Sequence, residues 1–427
     1  MVSLSNHAPL PSAARDFAPS IQTKSLLPFR RSVSPDLIIL TSKHPHITTA
    51  GADSRLAGGR LTIDLDALVA NWTLLAEKSK PGQTSAVVKA NAYGLGIEYV
   101  VPVLWDAGCR TFFVALVEEG LRVKAIVPEA RVFVLNGLFA EARPVFEESG
   151  LIPVLGSHYE IDLWTRANAE SGSKLPYGLH VDTGMNRLGL TVAEALAFSA
   201  ETRDMPVLLM THLATGDEPG HHLTQRQIES FQKLRIAFAG IESSASNSSG
   251  IFHAVHNGGE LSRPGIAMYG GEPLAGVANP MRPVVTLEAR IVQIRTSLEG
   301  ETTGYGATAL LERDTRIAVC SAGYADGYLR SASGSGTPLR IAVQKGGEGF
   351  VAGHRVPVIG RVTMDLTSFD ISDVPEDAIK PGDYIELFGP NIALDDAARA
   401  AGSIGFELLT GLGNRYHRRY LYSGKGD

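Results

Sequence analysis

Between residues 85 and 270, short apolar runs recur at intervals filled by helix-like segments. This alternation constrains the fold more than any other feature of the chain. The runs are SAVVKA (85–90), TFFVAL (111–116), RVFVLN (131–136), LIPVL (151–155), YGLHVD (177–182) and PVLLMTHL (206–213). SSASNSS (243–249) and RPGIAMYG (263–270) are weaker candidates. Runs of this length suit strands buried on both faces, and parallel strands need crossover helices between them. Eight such strands predict an α/β fold of the (β/α)8 TIM-barrel type. A helix leads in: LDALVANWTLLAEK (65–78) sets Leu65, Leu68, Val69, Trp72 and Leu75 on one face, with Asp64 placed as its N-cap.

After MRPVV (281–285) the texture changes. TLEARIVQIRT, TRIAVCSAGY, PLRIAVQ, RVPVIGRVTMDLTSFDIS and DYIELFG read as strands separated by Gly, Pro and Asp. The expected division is therefore a barrel over 56–283 and a mostly-β C-terminal domain over 284–427. Residues 1–55 are rich in Ser, Pro, Arg and His and show neither period, so they are read as a disordered N-terminal extension. No run of 18 apolar residues occurs, which predicts no membrane-spanning helix. A net charge of −6 argues against a nucleic-acid partner. Cys109 and Cys320 form no metal-type cluster, and no metal is expected. They are read as buried thiols in a reducing compartment, which points to the cytoplasm.

Lys89 closes the first apolar run just before a glycine-punctuated turn. At the C-terminal end of a barrel strand it would face the active site of such a fold. Desolvated there, a lysine loses proton affinity and becomes nucleophilic toward carbonyls.

The context is more specific than the lone lysine. KANAYGLG (89–96) closely resembles the pyridoxal 5'-phosphate (PLP) lysine motif of the alanine racemase family. HVDTGMNRLG (180–189), THLAT (211–215), NSS (247–249), RPGIAMYG (263–270), GYADG (323–327) and GRVTMD (360–365) follow in the family's order. The resemblance implies a homodimer of barrel plus β domain that interconverts L- and D-alanine with two bases. It implies that Lys89 anchors PLP and serves as one base. Tyr324 is then the second base, reaching the site from the partner subunit. An unperturbed phenol titrates near 10, so Tyr324 would need a nearby cation or donor.

Arg263 resembles the arginine that donates to the PLP ring nitrogen. A group that stays charged cannot readily hand over a proton, which keeps the electron sink weak and favours reprotonation at Cα. Tyr93, Ser248, Gly265 and Ile266 match the phosphate ligands, and Asn247 falls in the same block. His212 matches a histidine beside the cofactor ring. Arg187 matches an arginine near the cofactor's phenolic oxygen and the substrate carboxylate, two anionic targets that suit a planar fork. Met364 and Asp365 match residues that reach the substrate carboxylate across the dimer. His221 and His222 belong to no motif and are read as solvated helix-start residues.

Two positions depart from the family. His180 stands where many members carry a lysine that can be carbamylated and that helps hold the arginine matching Arg187. Asn414 stands where many carry a phosphate-site tyrosine, followed by Arg415. Three other functions fit parts of the pattern: a racemase of broader specificity, a related PLP decarboxylase, and a non-catalytic PLP-binding barrel. Arg263 and GYADG argue against the decarboxylase, and residues 284–427 against the binding protein. Pocket width decides the first. The biological role expected is supply of D-alanine for peptidoglycan, or alanine catabolism.

Overall fold

The structure, a computed structural model, describes residues 46–202, 204–253, 261–335 and 346–424. The lead-in helix Leu65–Ser79 forms as expected. Asp64 caps it by accepting the Ala67 N–H at 2.8 Å, and Leu65, Leu68, Trp72 and Leu75 are buried.

Seven short parallel strands follow in chain order and pair with their neighbours: Ala86–Val87, Thr111–Val114, Arg131–Val134, Ile152–Leu155, Gly178–Asp182, Leu208–Met210 and Glu242–Ser244. Most of their residues are buried, as strands covered by helices must be. The eighth position closes the ring. Leu261–Ser262 pairs with Gln83–Thr84, Ser85 N–H donates to Ser262 O, and Arg263 N–H donates to Ser246 O. The result is a (β/α)8 barrel.

The weak strand candidates are corrected. RPGIAMYG (263–270) holds a 3-10 helix, Ile266–Tyr269, and the strand precedes it at Leu261–Ser262. Pro264 has no N–H to give a ladder, so pairing stops there. In SSASNSS only the first two residues are in strand, and Ser248–Phe252 is helical. SAVVKA pairs only at Ala86–Val87, so Lys89 begins a turn rather than ending a strand.

The second sheet is mostly antiparallel. Its order is His46–Gly51, His417–Tyr422, Gly59–Asp64, Val285–Ser297, Tyr384–Phe388, Glu348–Val351, His354–Pro357, with Thr315–Cys320 joined to Val285–Ser297 and Thr367–Asp370 joined in turn to Thr315–Cys320. PLRIAVQ (338–344) lies outside the described residues, as do residues 1–45. The sheet crosses the expected division at 283/284, because two strands ahead of the barrel complete it. Strand His46–Gly51 also falls within the segment expected to be disordered. It pairs with His417–Tyr422 over six residues, so regular structure begins by His46.

Candidate active site

A cavity of about 370 Å3 opens where the barrel strands end. Its wall is assembled from the ends of six strands and the loops that follow them, with Phe406 added from the β domain. Nine residues expected at a cofactor site meet here. Lys89 and Tyr93 come from the first loop, Arg187 and His212 from the middle ones, and Asn247, Ser248, Arg263, Gly265 and Ile266 from the last two.

The first loop has an unusual backbone. Ala90, Asn91, Ala92 and Tyr93 all hold φ between 52° and 56°. L-residues adopt this left-handed conformation at about 1–2 kcal/mol each. The turn brings Lys89 and Tyr93 to one cavity. The C-terminal strand holds its far end: Arg418 donates to Gly94 O at 2.6 Å, and the Tyr420 hydroxyl to Leu95 O at 2.8 Å. Lys89 is open to the cavity, yet crowding around its ammonium and the charge of Arg187 lower its proton affinity, while Glu119 opposes them.

The last two loops form a cradle. The Ser248 hydroxyl accepts the N–H groups of Gly265 and Ala267 at 3.0 and 3.3 Å. A Cβ on Gly265 would lie 2.3 Å from the Tyr93 hydroxyl, so only glycine admits that ring. Tyr93 stacks on Tyr269 at 4.5 Å, and burial pushes its phenol well above the usual range, which keeps it a neutral donor. Asn247 caps the short helix Ser248–Phe252 by accepting the Gly250 N–H at 2.9 Å.

Arg263 is buried, 4% exposed. Its guanidinium donates to Ser244 O at 2.7 Å, to the Ser244 hydroxyl, and to Thr211 O at 2.6 Å. These fixed bonds lock its plane. His212 is driven down to about 3 by burial and by the charges of Arg263 and Arg187, so its ring is neutral. His180 is buried and held at about 4 for the same reasons, with Arg263 the stronger charge. A neutral imidazole thus occupies the position beside Arg187. Asp182 is not available to that arginine's side chain alone: its carboxylate accepts the N–H groups of Gly184, Met185 and Arg187.

The remaining expected residues lie elsewhere. Tyr324, Met364 and Asp365 do not line the cavity of their own chain. Tyr324 and Met364 are exposed, and Tyr324 N–H donates to Thr363 O while Ala325 N–H donates to Met364 O. Arg415 joins the two loops, contacting Asp326 at 3.0 Å and Asp365 at 2.8 Å. Asn414 lines a different cavity with Arg415, Asp326 and Tyr416. His221 caps the helix His222–Ala237 through its Nδ1, which accepts the Leu223 N–H, and stacks on His222.

Some wall residues carried no sequence signal. Phe406 belongs to a short helix, Gly405–Thr410, that no motif covers. Its ring lies 6.0 Å from that of Tyr93. Val87, Leu135, Asn136, His180, Leu188 and Met210 complete the wall.

Chemically, the cavity offers an amine, two permanent cations, two hydroxyls and a glycine cradle. Among the described residues no carboxylate lines it. The donor set fits a flat molecule carrying an anionic phosphate at one end and a carbonyl that the amine can reach.

Comparisons with known proteins agree in both halves. Residues 63–273 match the model of the alanine racemase N-terminal domain, and residues 284–420 that of the C-terminal domain. The biosynthetic alanine racemase of Agrobacterium fabrum is 54% identical over 367 residues, spanning 85% of this chain and 93% of its own. The catabolic alanine racemase of the same species is 41% identical, spanning 86% and 93%. Among solved structures, the alanine racemase of Bartonella henselae with covalently bound pyridoxal phosphate superposes with a TM-score of 0.79 at 36% identity, covering 85% of this chain and 99% of that one.

Proposed function

Because this chain belongs to the alanine racemase family, we propose how its own residues carry out a PLP-dependent racemisation of alanine. The observation that supports the assignment of the site is the convergence of Lys89, Arg263 and the Tyr93–Ser248–Gly265 cradle on one cavity that no carboxylate lines among the described residues. Tyr93, Ser248, Gly265 and Ile266 would hold the phosphate of PLP, with Asn247 fixing the helix start beside it. Lys89 would hold its carbonyl carbon, and Arg263 its ring nitrogen. When bound, PLP supplies an electron sink that makes the α-C–H bond of alanine acidic.

Lys89 Nζ moves a proton at Cα on one face, and the Tyr324 hydroxyl on the other. Two groups are needed because the proton leaves one face of a planar carbon and returns to the opposite one. Arg263 remains cationic and donates without giving up its proton, which keeps the return of the proton to Cα favoured. His212 packs neutral beside the ring site. Arg187 orients the substrate carboxylate, with Met364 and Asp365.

Tyr324, Met364 and Asp365 lie away from the cavity of their own chain. A homodimer in which each copy completes the other's site is therefore the proposed assembly. The domain division near 283/284 is proposed with residues 46–64 adding strands to the C-terminal sheet. Identity is higher to the biosynthetic than to the catabolic enzyme of one species. That favours supply of D-alanine for peptidoglycan, and the free, buried Cys109 and Cys320 support a reducing compartment such as the cytoplasm. Among the described residues no helix is long and apolar enough to cross a membrane.

The test is proton exchange at Cα. Purified protein with PLP is incubated in D2O with L-alanine or L-serine, followed by NMR and chiral analysis. Deuterated D-alanine with little D-serine is expected. Comparable serine turnover would move the assignment to a racemase of broad specificity, and carbon dioxide release to a decarboxylase.

A further inference from the structure

Four consecutive non-glycine residues in the left-handed region persist only where their surroundings over-determine them. Two side chains of the helix Val117–Ile126 do this, although neither lines the cavity. Glu119 accepts the Asn91 N–H on Oε1 at 3.2 Å. Its Oε2 accepts the N–H groups of Ala115 and Leu116 at 2.9 and 3.2 Å. One carboxylate thus ties the strained turn to the start of the helix. Arg122, one helical turn further on, donates to Asn91 Oδ1 at 2.6 Å and grips Glu98 with two bonds of 2.8 and 2.7 Å. Asn91 Oδ1 also accepts the Ile97 N–H at 3.2 Å. Asn91, two residues from Lys89, is held through both its backbone and its side chain.

We propose that Glu119 and Arg122 are positioning residues for the racemase: they brace the left-handed turn and so set where the Lys89 amine stands in the cavity. The inference rests on Lys89 as the PLP anchor. Electrostatics gives Glu119 a second effect. The groups acting on Lys89 are Arg187, from the loop after Gly178–Asp182, and Glu119 from the helix, with crowding acting in the same direction as Arg187. Lys89 in turn acts on His212, which is neutral. Glu119 is the negative charge that offsets these influences.

Two variants separate the contributions. Glu119→Gln keeps the shape and removes the charge. Arg122→Lys keeps the charge and loses the planar fork that reaches Glu98 and Asn91 together. In PLP-loaded protein each is expected to lower kcat for alanine by roughly a hundredfold, the scale of an ångström-sized misplacement. Each also weakens PLP retention by about tenfold, the scale of a lost hydrogen bond to a charged group. Glu119→Gln further moves the pH midpoint of the visible absorbance of the Lys89-bound cofactor downward, whereas Arg122→Lys leaves it in place.

A purely structural brace would lower the melting temperature and nothing else. Wild-type kcat, PLP retention and absorbance midpoint in both folded variants would overturn the proposal. If Glu119→Gln does not fold, Arg122→Lys decides by kcat and retention. Survival of the absorbance band in Lys89→Ala would instead refute the anchor, and with it the proposal.

Discussion

The Tyr93 hydroxyl lies 2.3 Å from where a Cβ on Gly265 would stand, so the two residues are interlocked. The ring reaches the cradle only because position 265 has no side chain. Gly265→Ala must push Tyr93 aside, and Tyr93→Phe removes the same hydroxyl without moving the ring. Both variants are expected to weaken PLP binding by about ten- to a hundredfold, equivalent to roughly 1.5–3 kcal/mol for a hydrogen bond to a charged group. Titration of the cofactor-free protein with PLP measures this.

Separation of Lys89 from Tyr324 predicts complementation between two dead enzymes. Lys89→Ala and Tyr324→Phe subunits are each expected to be nearly inactive. After mixing and subunit exchange, half the dimers are mixed and each holds one intact site. About a quarter of wild-type activity should return, from random pairing in a two-fold dimer. No recovery despite proven exchange would count against a shared site.

His180 predicts an acid limit to stability. Its folded value of about 4 lies below the unfolded value of 6.5. Between those values the unfolded chain binds the proton and the folded one does not. Stability therefore falls as pH drops from 6.5 towards 4, by roughly 3 kcal/mol for this group alone. Urea unfolding of the cofactor-free protein should show the slope, and His180→Gln should flatten it. An unchanged slope in the variant would remove His180 as its source.

Phe406 closes the cavity from the other domain. Truncation by Phe406→Ala removes its pairing with Tyr93, worth about 0.5–1.5 kcal/mol for an aromatic pair. PLP should dissociate a few-fold faster with kcat nearly unchanged, which stopped-flow dilution can resolve. A large loss of kcat would mean that the ring contacts the substrate.

Legibility in the sequence followed the range of the interactions. Barrel strands such as Thr111–Val114 and Ile152–Leu155 announce themselves because burial on both faces leaves an unbroken apolar run. The nine expected residues that line the cavity were legible because each belongs to a contiguous motif around a strand end. The turn after Lys89 was not, since its left-handed backbone uses Ala and Asn where sequence rules expect glycine, and its support comes from Glu119 and Arg122 on a separate helix. Phe406 was hidden for the same reason: its contact with Tyr93 is long-range. Strand His46–Gly51 has the polar composition of a tail and is ordered by pairing with a strand at the other end of the domain.

That pairing has a consequence for how the protein is made. The C-terminal strand holds the Lys89 turn through Arg418 and Gly94, which are 324 residues apart. On the ribosome, the turn emerges long before its clasp is translated. Contacts of such separation form late. Capture of PLP would then wait until the strand His417–Tyr422 is made, and the growing chain would carry an idle lysine until that point. A ribosome-bound chain stalled before residue 417 is expected to take up PLP poorly, while the released full chain takes it up readily.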